Sequence, residues 1–266
     1  MSDTTISMSK LKAEQNQINQ ANFRFKQFCI WHDRCAMKVN TDGILLGAWS
    51  HLNSNSSMID IGTGTGLIAL MLAQRTQKTS PTSHIVAVEI DPEAASQAEY
   101  NISQSQWSTR LSVESQDVKN FAQVKEHHNK FSTLVSNPPY FSDALLGQST
   151  QRNLARHNDQ LPFSQLLESA EQLATEDALF NLILPIKETD ELLSICERFD
   201  WFILNLVQVS SIEGNAPHRC LITLARTQDA SLSNRPINNE GFFIRDKLGN
   251  YGADFKRLCK DFYLKF

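Results

Sequence analysis

An alternation of strand-like and helix-like segments, which begins at Met58, most constrains the fold of this 266-residue chain. Short apolar or β-branched runs are each followed by a turn and then by a longer stretch with helical periodicity. Strands that alternate with helices pair mainly in parallel, because each crossover helix returns the chain to the same edge of the sheet. The pattern therefore predicts an α/β fold with helices on both faces of the sheet.

Local signals place the individual elements along this alternation. Five strands are predicted in the central part of the chain, at 58–61, 84–90, 111–114, 133–136 and 178–184. Two adjacent late strands, 202–210 and 220–225, are predicted to form a terminal antiparallel hairpin. Helices are predicted at 67–75, 92–103 and 163–174, the second with Asp91 as N-cap and Pro92 at its first position. The sequence thus predicts a seven-stranded, mainly parallel sheet.

Composition and hydropathy place the chain among soluble globular proteins, with 41% hydrophobic and 20% charged residues. We expect a polar arm at 1–20 and a single domain at 21–266, with a cap before the sheet at 21–57 and a basic helix at 252–266. No apolar stretch approaches the roughly 18 residues of a membrane span, and the polar start does not resemble a signal peptide. We expect a cytoplasmic monomer.

The cysteine and histidine content predicts neither disulfides nor a metal site. The five cysteines are scattered, odd in number and without a C-x-x-C pair, which argues against a disulfide framework and a zinc ribbon. The adjacent His127 and His128 lack metal-ligand spacing. The thiols are therefore expected to be reduced.

Positive charge is concentrated at the two ends of the chain. Residues 1–40 and 241–266 each hold six basic and three acidic residues, which leaves −10 for residues 41–240 out of an overall −4. A bound polyanion would favour these ends, although scattered solvated charge accounts for the same counts. The candidate contacts are Arg24, Lys26, Lys256 and Arg257 at the ends, with Arg152, Arg156 and His157 between them.

Three alternating glycines stand between the first central strand and its helix, in the segment from Ile59 to Gly66. Such a turn lets a ligand approach backbone amides at a helix N-terminus. The third glycine comes one position too early for the G-x-G-x-x-G fingerprint, so NAD is disfavoured. Glu89, at the end of the next strand, could accept from both hydroxyls of a ribose, and Asp117 could accept from an adenine amino group. The alternative is an ordinary tight turn beside two solvated carboxylates.

This combination resembles the S-adenosylmethionine site of class I methyltransferases. The resemblance implies their Rossmann-like fold and S-adenosylmethionine as the cofactor.

An Asn-Pro-Pro-Tyr segment follows the predicted fourth strand, at 137–140. The two prolines hold the chain rigid, so the Asn137 amide and the Pro138 carbonyl can point in fixed directions. Two such oxygens could accept both N–H groups of a conjugated amine and favour a pyramidal, nucleophilic nitrogen. Tyr140 could stack on a flipped-out base. The segment resembles amino-directed methyltransferases, which act on adenine N6, cytosine N4, guanine N2 or a glutamine amide, and the alternative is a rigid turn.

Segments outside the sheet resemble one family more closely. They are 23–28, 32–39, 41–49 and 255–264, and with the central motifs they extend the resemblance over roughly 22–266. The family is the bacterial tRNA1(Val) (adenine-37 N6)-methyltransferases. The resemblance implies methylation of N6 of adenine 37, next to the anticodon, with the anticodon loop of tRNA as the partner.

The resemblance also extends the set of candidate site residues. In such proteins the segment before the sheet covers the methionine part of the cofactor, whereas Thr41 could equally be a helix cap and Lys38 a surface residue. The cofactor candidates are Lys38, Thr41, Asp42, Asp60, Gly62, Gly64, Gly66, Glu89, Asp117 and Asn137. The catalytic candidates are Asn137, Pro138 and Tyr140. The substrate candidates are Pro139, Phe141, Arg24, Lys26, Arg152, Arg156, Lys256 and Arg257.

Two other functions fit the same motifs. A glutamine N5-methyltransferase acting on a protein, or another nucleic-acid amino-methyltransferase, would use the same Asn-Pro-Pro-Tyr chemistry. A catalytically silent cofactor-binding adaptor is a third possibility, which the retained glycines and Asn137 disfavour.

Overall fold

The structure, a computed structural model, describes residues 22–35, 37–53, 57–139, 161–226 and 241–266. The predicted arm at 1–20 lies outside the described residues. So do five of the candidate residues, namely Tyr140, Phe141, Arg152, Arg156 and His157.

A hairpin and a helix precede the sheet. Strands β1 (Asn22–Arg24) and β2 (Cys29–Trp31) pair antiparallel, and α1 (Thr41–Trp49) follows them. The six residues at 43–48 of α1 are all buried, because this helix packs against the sheet and against its neighbouring helix. The segment therefore packs against the strand at 174–185 and beside the helix that follows the glycine turn.

The central sheet has eight strands among the described residues. They are β3 (Ser57–Ile61), β4 (Ile85–Glu89), β5 (Leu111–Ser115), β6 (Phe131–Ser136), β7 (Ala174–Pro185), β8 (Phe202–Ile212), β9 (Arg219–Ala225) and β10 (Phe242–Arg245). Their order across the sheet is β10-β8-β9-β7-β6-β3-β4-β5, and only β9 runs antiparallel to its neighbours. The α/β class and the antiparallel hairpin predicted from the sequence are confirmed.

The predicted count of seven strands is wrong by one, because β10 adds a parallel strand beside β8 at the edge of the sheet. Four residues give too short a pattern to indicate a strand from sequence, and β10 forms because β8 offers it an unpaired edge. In addition, β9 inserts between β7 and β8 rather than closing the sheet.

Helices cover both faces of the sheet. In chain order they are α2 (Leu67–Thr76), α3 (Pro92–Ser103), α4 (Val118–Gln123), α5 (Phe163–Leu173), α6 (Ile186–Ile195) and α7 (Ala253–Cys259). Short 3-10 turns occur at Ser108–Arg110, Lys125–His127 and Cys196–Phe199. One apolar cluster joins α1, α2, α7 and the hairpin to the sheet, and a second joins α4 and α5 to its other face.

The C-terminal helix is shorter than the predicted 252–266. It ends at Cys259, after which the chain turns and packs aromatic side chains against one another, with the rings of Tyr263 and Phe266 stacked at 4.9 Å. Gln74 near the end of α2 donates to the carbonyl of Asp261 at 2.8 Å. The last residues are thus fixed beside the C-terminal end of α2.

Candidate active site

A cavity of about 400 Å³ lies at the carboxyl edge of the sheet, where β3, β4, β5 and β6 end. This volume is within the usual range for small-molecule sites. Its walls come from the glycine turn, from the residues after these strands, and from the segment 37–40 that leads into α1. Open α/β sheets bind ligands at this edge.

The glycine turn contributes two glycines to the cavity and one to packing. Gly62, Gly64 and Gly66 have φ values of 71°, 57° and 79°, in the left-handed region that disfavours other residues. A Cβ built on Gly62 or Gly64 would meet no atom within 4 Å, so both expose backbone to open space. Gly66 does not line the cavity, and its Cβ would lie 3.4 Å from the Cβ of Ala98 in α3.

Asp60 supports the turn from beneath instead of facing the cavity, contrary to the cofactor contact expected from the sequence. Its Oδ2 accepts from the hydroxyl of Thr63 at 2.6 Å and from the amide of Ala69 at 3.1 Å. The second of these bonds caps α2, whose N-cap glycine has no side chain to do so. Complete burial, with Oδ1 accepting no hydrogen bond from the described residues, raises the pKa of Asp60 to about 7.

Glu89 lines the cavity and is bonded to two backbone amides. Its Oε2 accepts from the amide of Gly64 at 2.8 Å, and its Oε1 accepts from that of Asp91 at 3.0 Å. These bonds fix the carboxylate against the glycine turn. Each oxygen keeps lone-pair capacity with which to accept a ligand hydroxyl.

Asp117 also lines the cavity, at the start of α4. Its Oδ1 caps the helix by accepting from the amide of Lys119 at 2.9 Å, and its Oδ2 lies 3.1 Å from the ammonium of the same lysine. The carboxylate is therefore held in place by Lys119, which lines the cavity as well.

Of the three residues before the sheet that were predicted to contact the cofactor, only one lines the cavity. Lys38 lines the cavity, whereas Thr41 and Asp42 do not. The N-cap of α1 is Asn40, whose Oδ1 accepts from the amide of Gly43 at 2.8 Å. Thr41 is an exposed first-turn residue, and Asp42 pairs with the guanidinium of Arg219 at 2.9 Å.

Asn137, Pro138 and Pro139 line the cavity directly after β6. The Oδ1 of Asn137 is buried and accepts no hydrogen bond from any of the described residues. A buried acceptor left without a partner costs about 1–3 kcal/mol, so the site favours a ligand that brings an N–H group to this oxygen. The neighbouring Ser136 donates to the carbonyl of Ile61 at 2.8 Å, which ties the end of β6 to β3.

Several apolar residues of the cavity were not predicted from the sequence, among them Ile90 and Val118. Each directly follows an acidic candidate, Glu89 and Asp117 respectively, and Ile90 is 54% exposed despite its size. Apolar side chains beside carboxylates can contact the faces of a flat ring whose edge the carboxylates bind. Their positions directly after Glu89 and Asp117 were the sequence signal that could have predicted them as cavity residues.

Four basic candidates at the chain ends, Arg24, Lys26, Lys256 and Arg257, are described and do not line the cavity. The ammonium of Lys26 donates to the carbonyls of Lys260 at 2.6 Å and Phe266 at 2.7 Å. Its neighbour Gln27 accepts from Gln77, just after α2, so this hairpin turn lies at the opposite end of α2 from the glycine turn. A ten-residue helix spans roughly 15 Å.

Arg24 and Lys256 are exposed, and Arg257 forms an ion pair with Asp254 within α7. The structure therefore brings none of the four basic end residues to the cavity.

The described residues contain no group of three or more His, Cys, Asp or Glu side chains arranged to hold a metal ion. None of the described helices combines the length and apolar character needed to cross a membrane.

Comparison with known proteins decides the family. A family profile described as the methyltransferase small domain matches residues 43–162. A tRNA1(Val) (adenine(37)-N6)-methyltransferase from Pectobacterium carotovorum is 40% identical over 247 residues, which cover 93% of this chain and 95% of that protein. The chain belongs to the tRNA1(Val) (adenine(37)-N6)-methyltransferase family.

Similarity to other members of this methyltransferase family extends over most of the chain. A relative of the same name from Bacteroides thetaiotaomicron is 39% identical and covers 91% of this chain and 97% of that protein. One from Histophilus somni is 42% identical over 92% of this chain and 98% of that protein. The family resemblance noted in the sequence is thus confirmed.

Solved structures support the fold. A predicted O-methyltransferase from Agrobacterium tumefaciens superimposes with a TM-score of 0.60 at 15% identity, over 83% of this chain and 96% of that chain. The class I methyltransferase fold predicted from the sequence is confirmed, with the eighth strand as its addition.

Proposed function

We propose that the protein transfers a methyl group from S-adenosylmethionine to N6 of adenine 37, next to the anticodon, in tRNA1(Val). The observation that carries the proposal is the buried Oδ1 of Asn137 in the wall of the cavity, which accepts no hydrogen bond from the part of the chain that the structure describes. An acceptor in this position selects for a substrate N–H group, and relatives at about 40% identity carry the name of an adenine N6-methyltransferase. With tRNA as substrate, we place the protein in the cytoplasm, as a monomer.

The cavity residues fit the cofactor. Gly62 and Gly64 leave space for a ligand against the backbone, and Glu89 offers a fixed carboxylate to ribose hydroxyls. Ile90 and Val118 would contact the adenine faces, while Asp117 accepts from the adenine amino group. When bound, S-adenosylmethionine supplies a methyl group on a positively charged sulfur.

Asn137 and Pro138 prepare the substrate nitrogen. The exocyclic amine of adenine is a weak nucleophile because its lone pair is delocalised into the ring. The Asn137 Oδ1 and the Pro138 carbonyl accept its two N–H groups, which favours a pyramidal nitrogen with its lone pair directed at the methyl group. The nitrogen would form its new bond to the methyl carbon as the carbon–sulfur bond breaks and leaves its electrons on sulfur, and the amine proton would then be lost to solvent. The rate enhancement arises mainly from positioning.

The tRNA contacts form the remaining part of the proposal. Tyr140 and Phe141 are the aromatic residues that follow Pro139 in the sequence, and Arg152 and Arg156 come after them. Base stacking on such rings contributes about 1–3 kcal/mol. Among the basic end residues, Arg24, Lys256 and Arg257 stay candidates for phosphate contacts outside the cavity. Lys26 is the weakest of these candidates, since its ammonium is bonded to two carbonyls.

Methyl transfer from isotopically labelled S-adenosylmethionine to tRNA tests the function. We expect label in N6-methyladenosine when tRNA1(Val) carries adenine at position 37, and none when inosine, which lacks the amine, replaces it. Treatment of the substrate fraction with ribonuclease should abolish the transfer. Label that survives in a glutamine side chain of a protein would instead favour the glutamine N5-methyltransferase, and the absence of any transfer would favour the adaptor.

A further inference from the structure

Asp42 and Arg219 form an ion pair between two distant parts of the chain. The Nε of Arg219 lies 2.9 Å from the Oδ2 of Asp42, and the two side chains are only 22% and 16% exposed. Asp42 lies in the first turn of α1, and Arg219 is the first residue of β9. This partial burial distinguishes the pair from surface ion pairs, whose contribution is small.

The C-terminal end of α1 is fixed by other contacts. Arg75 of α2 donates to the carbonyls of Gly47 and Ser50 at 2.9 and 2.8 Å. The amide of His51 donates to the buried Asn181 of β7 at 2.8 Å. A Cβ on Gly47 would lie 2.6 Å from the sulfur of Met71, so the two helices pack closely there. The first turn of α1 packs on α2 through Gly43, whose Cβ would lie 3.1 Å from Leu67, and its Asp42 is bound separately by Arg219.

The first turn of α1 matters because it adjoins the cavity. Residues 37–40 form one wall of the cavity, and Gly43 lines it from within the helix. Asn40 joins these two parts by accepting from the amide of Gly43. A shift of the first turn would therefore move this wall.

We infer that the Asp42–Arg219 ion pair positions the first turn of α1 against β9 and so holds residues 37–40 in place for cofactor binding. Both are positioning residues, because neither lines the cavity. The inference rests on the proposed function only in taking S-adenosylmethionine as the ligand. An aspartate that merely favours the helix N-terminus would act independently of Arg219.

A double-mutant cycle tests the pair. Calorimetry with S-adenosylmethionine should show about tenfold weaker binding for Arg219→Ala and for Asp42→Asn. The double variant should be no weaker than either single variant, because both substitutions remove the same interaction. Arg219→Lys, which keeps the positive charge, should recover part of the affinity. Unchanged affinity in the single variants, or additive losses in the double variant, would overturn the inference.

The chain offers a matched control at the other end of the same strand. Arg226, directly after β9, is 18% exposed and lies 3.7 Å from Glu171. Arg226→Ala also removes a partly buried ion pair, but it should leave cofactor affinity unchanged. A similar loss of affinity in this control would mean that the Arg219 effect is only general destabilisation.

Amide hydrogen exchange, measured on the ligand-free protein, tests the positioning role without relying on cofactor binding. It therefore distinguishes failure of this inference from failure of the proposed function. The amides of Gly43 and Ile44 should exchange faster in Arg219→Ala than in wild type, and not in Arg226→Ala. If wild-type protein bound no S-adenosylmethionine, the proposed function would fail while this exchange still tested the pair. Equal exchange in wild type and Arg219→Ala would refute the positioning role.

Discussion

The two walls of the cavity differ in how their polar groups are satisfied. On the β3–β5 side, Glu89 and Asp117 accept hydrogen bonds from backbone amides. The supporting Asp60, which does not line the cavity, accepts from Thr63 and Ala69 through its Oδ2, although its Oδ1 accepts none from the described residues. On the β6 side, the Oδ1 of Asn137 is buried and unpartnered among the described residues. The first wall is thus preorganised by the protein itself, whereas the second is completed only by a ligand.

This difference implies different consequences of substitution. Removing a carboxylate that accepts hydrogen bonds from the protein should change the stability or the shape of the cavity wall. Removing the unsatisfied oxygen should affect chemistry more than stability, because that oxygen accepts no hydrogen bond from the described residues. The following substitutions test this distinction.

The largest effect is expected for Asn137→Ala. Turnover should fall at least about a hundredfold, the scale for losing one well-placed polar group at a reacting centre. Cofactor affinity and Tm should stay near wild type. Single-turnover methyl transfer, calorimetry and thermal unfolding measure the three quantities, and near-normal turnover would contradict the proposed role.

Asn137→Asp provides the control for this substitution, because a carboxylate retains acceptor oxygens. We expect it to keep more activity than Asn137→Ala. If the two variants were equally inactive, acceptance of an N–H group would not be sufficient to explain the role of Asn137.

The next largest effect is expected for Gly64→Val. Its branched side chain would occupy open space beside the bound cofactor, at a φ of 57° that disfavours it. Cofactor affinity should fall at least about tenfold, and stability by about 1–2 kcal/mol from the left-handed backbone. Gly249→Val is the matched control, since Gly249 has a φ of 85°, is exposed and also has no atom within 4 Å of its Cβ position. It should lose similar stability without losing affinity, and calorimetry that showed equal affinities for the two variants would remove Gly64 from the site.

A smaller effect concerns the pH dependence of stability. Burial raises the pKa of Asp60 to about 7 from its usual 3.8, aided by the negative charge of Glu89. The folded protein therefore holds this proton more tightly than the unfolded chain, and the free energy of unfolding falls as pH rises from about 4 to about 7.

Asp60→Asn removes this titration but retains an acceptor for Thr63 and Ala69. Between pH 5 and pH 7, wild type should lose about 2 kcal/mol more of its unfolding free energy than the variant does. Urea unfolding at both pH values measures the difference. Parallel pH profiles would show that Asp60 is ionised throughout this range.

The smallest effect on binding is expected for Lys26→Met. Because the ammonium bonds to two carbonyls near the chain end, its loss should lower Tm by about 2 °C and change tRNA affinity less than twofold. Lys38→Met is the matched control, since Lys38 is also exposed but lines the cavity, and it should weaken cofactor binding severalfold. Filter binding measures tRNA affinity. If the Lys26→Met variant bound tRNA poorly at an unchanged Tm, Lys26 would be a tRNA contact after all.

Local sequence determined much of this protein. The alternation of strands and helices, the glycine turn, the N-capping Asp91 and the acidic residues at strand ends all follow from signals within a few residues of one another. The same is true of the Asn-Pro-Pro-Tyr segment. Backbone propensities, turn conformations and helix caps depend on chain neighbours, so such signals can be read without knowledge of the fold.

Only the tertiary structure decided which groups became partners. Asp42 pairs with Arg219 at a sequence separation of 177 residues, and Lys26 donates to the carbonyl of Phe266 at a separation of 240. Strand β10 pairs with the edge of β8. Each of these contacts depends on the packing of elements far apart in the chain, for which local patterns contain no signal. For the same reason, the sequence could name Asp60 and Asn137 alike as polar site residues, whereas packing gave one of them internal partners and left the other facing the cavity.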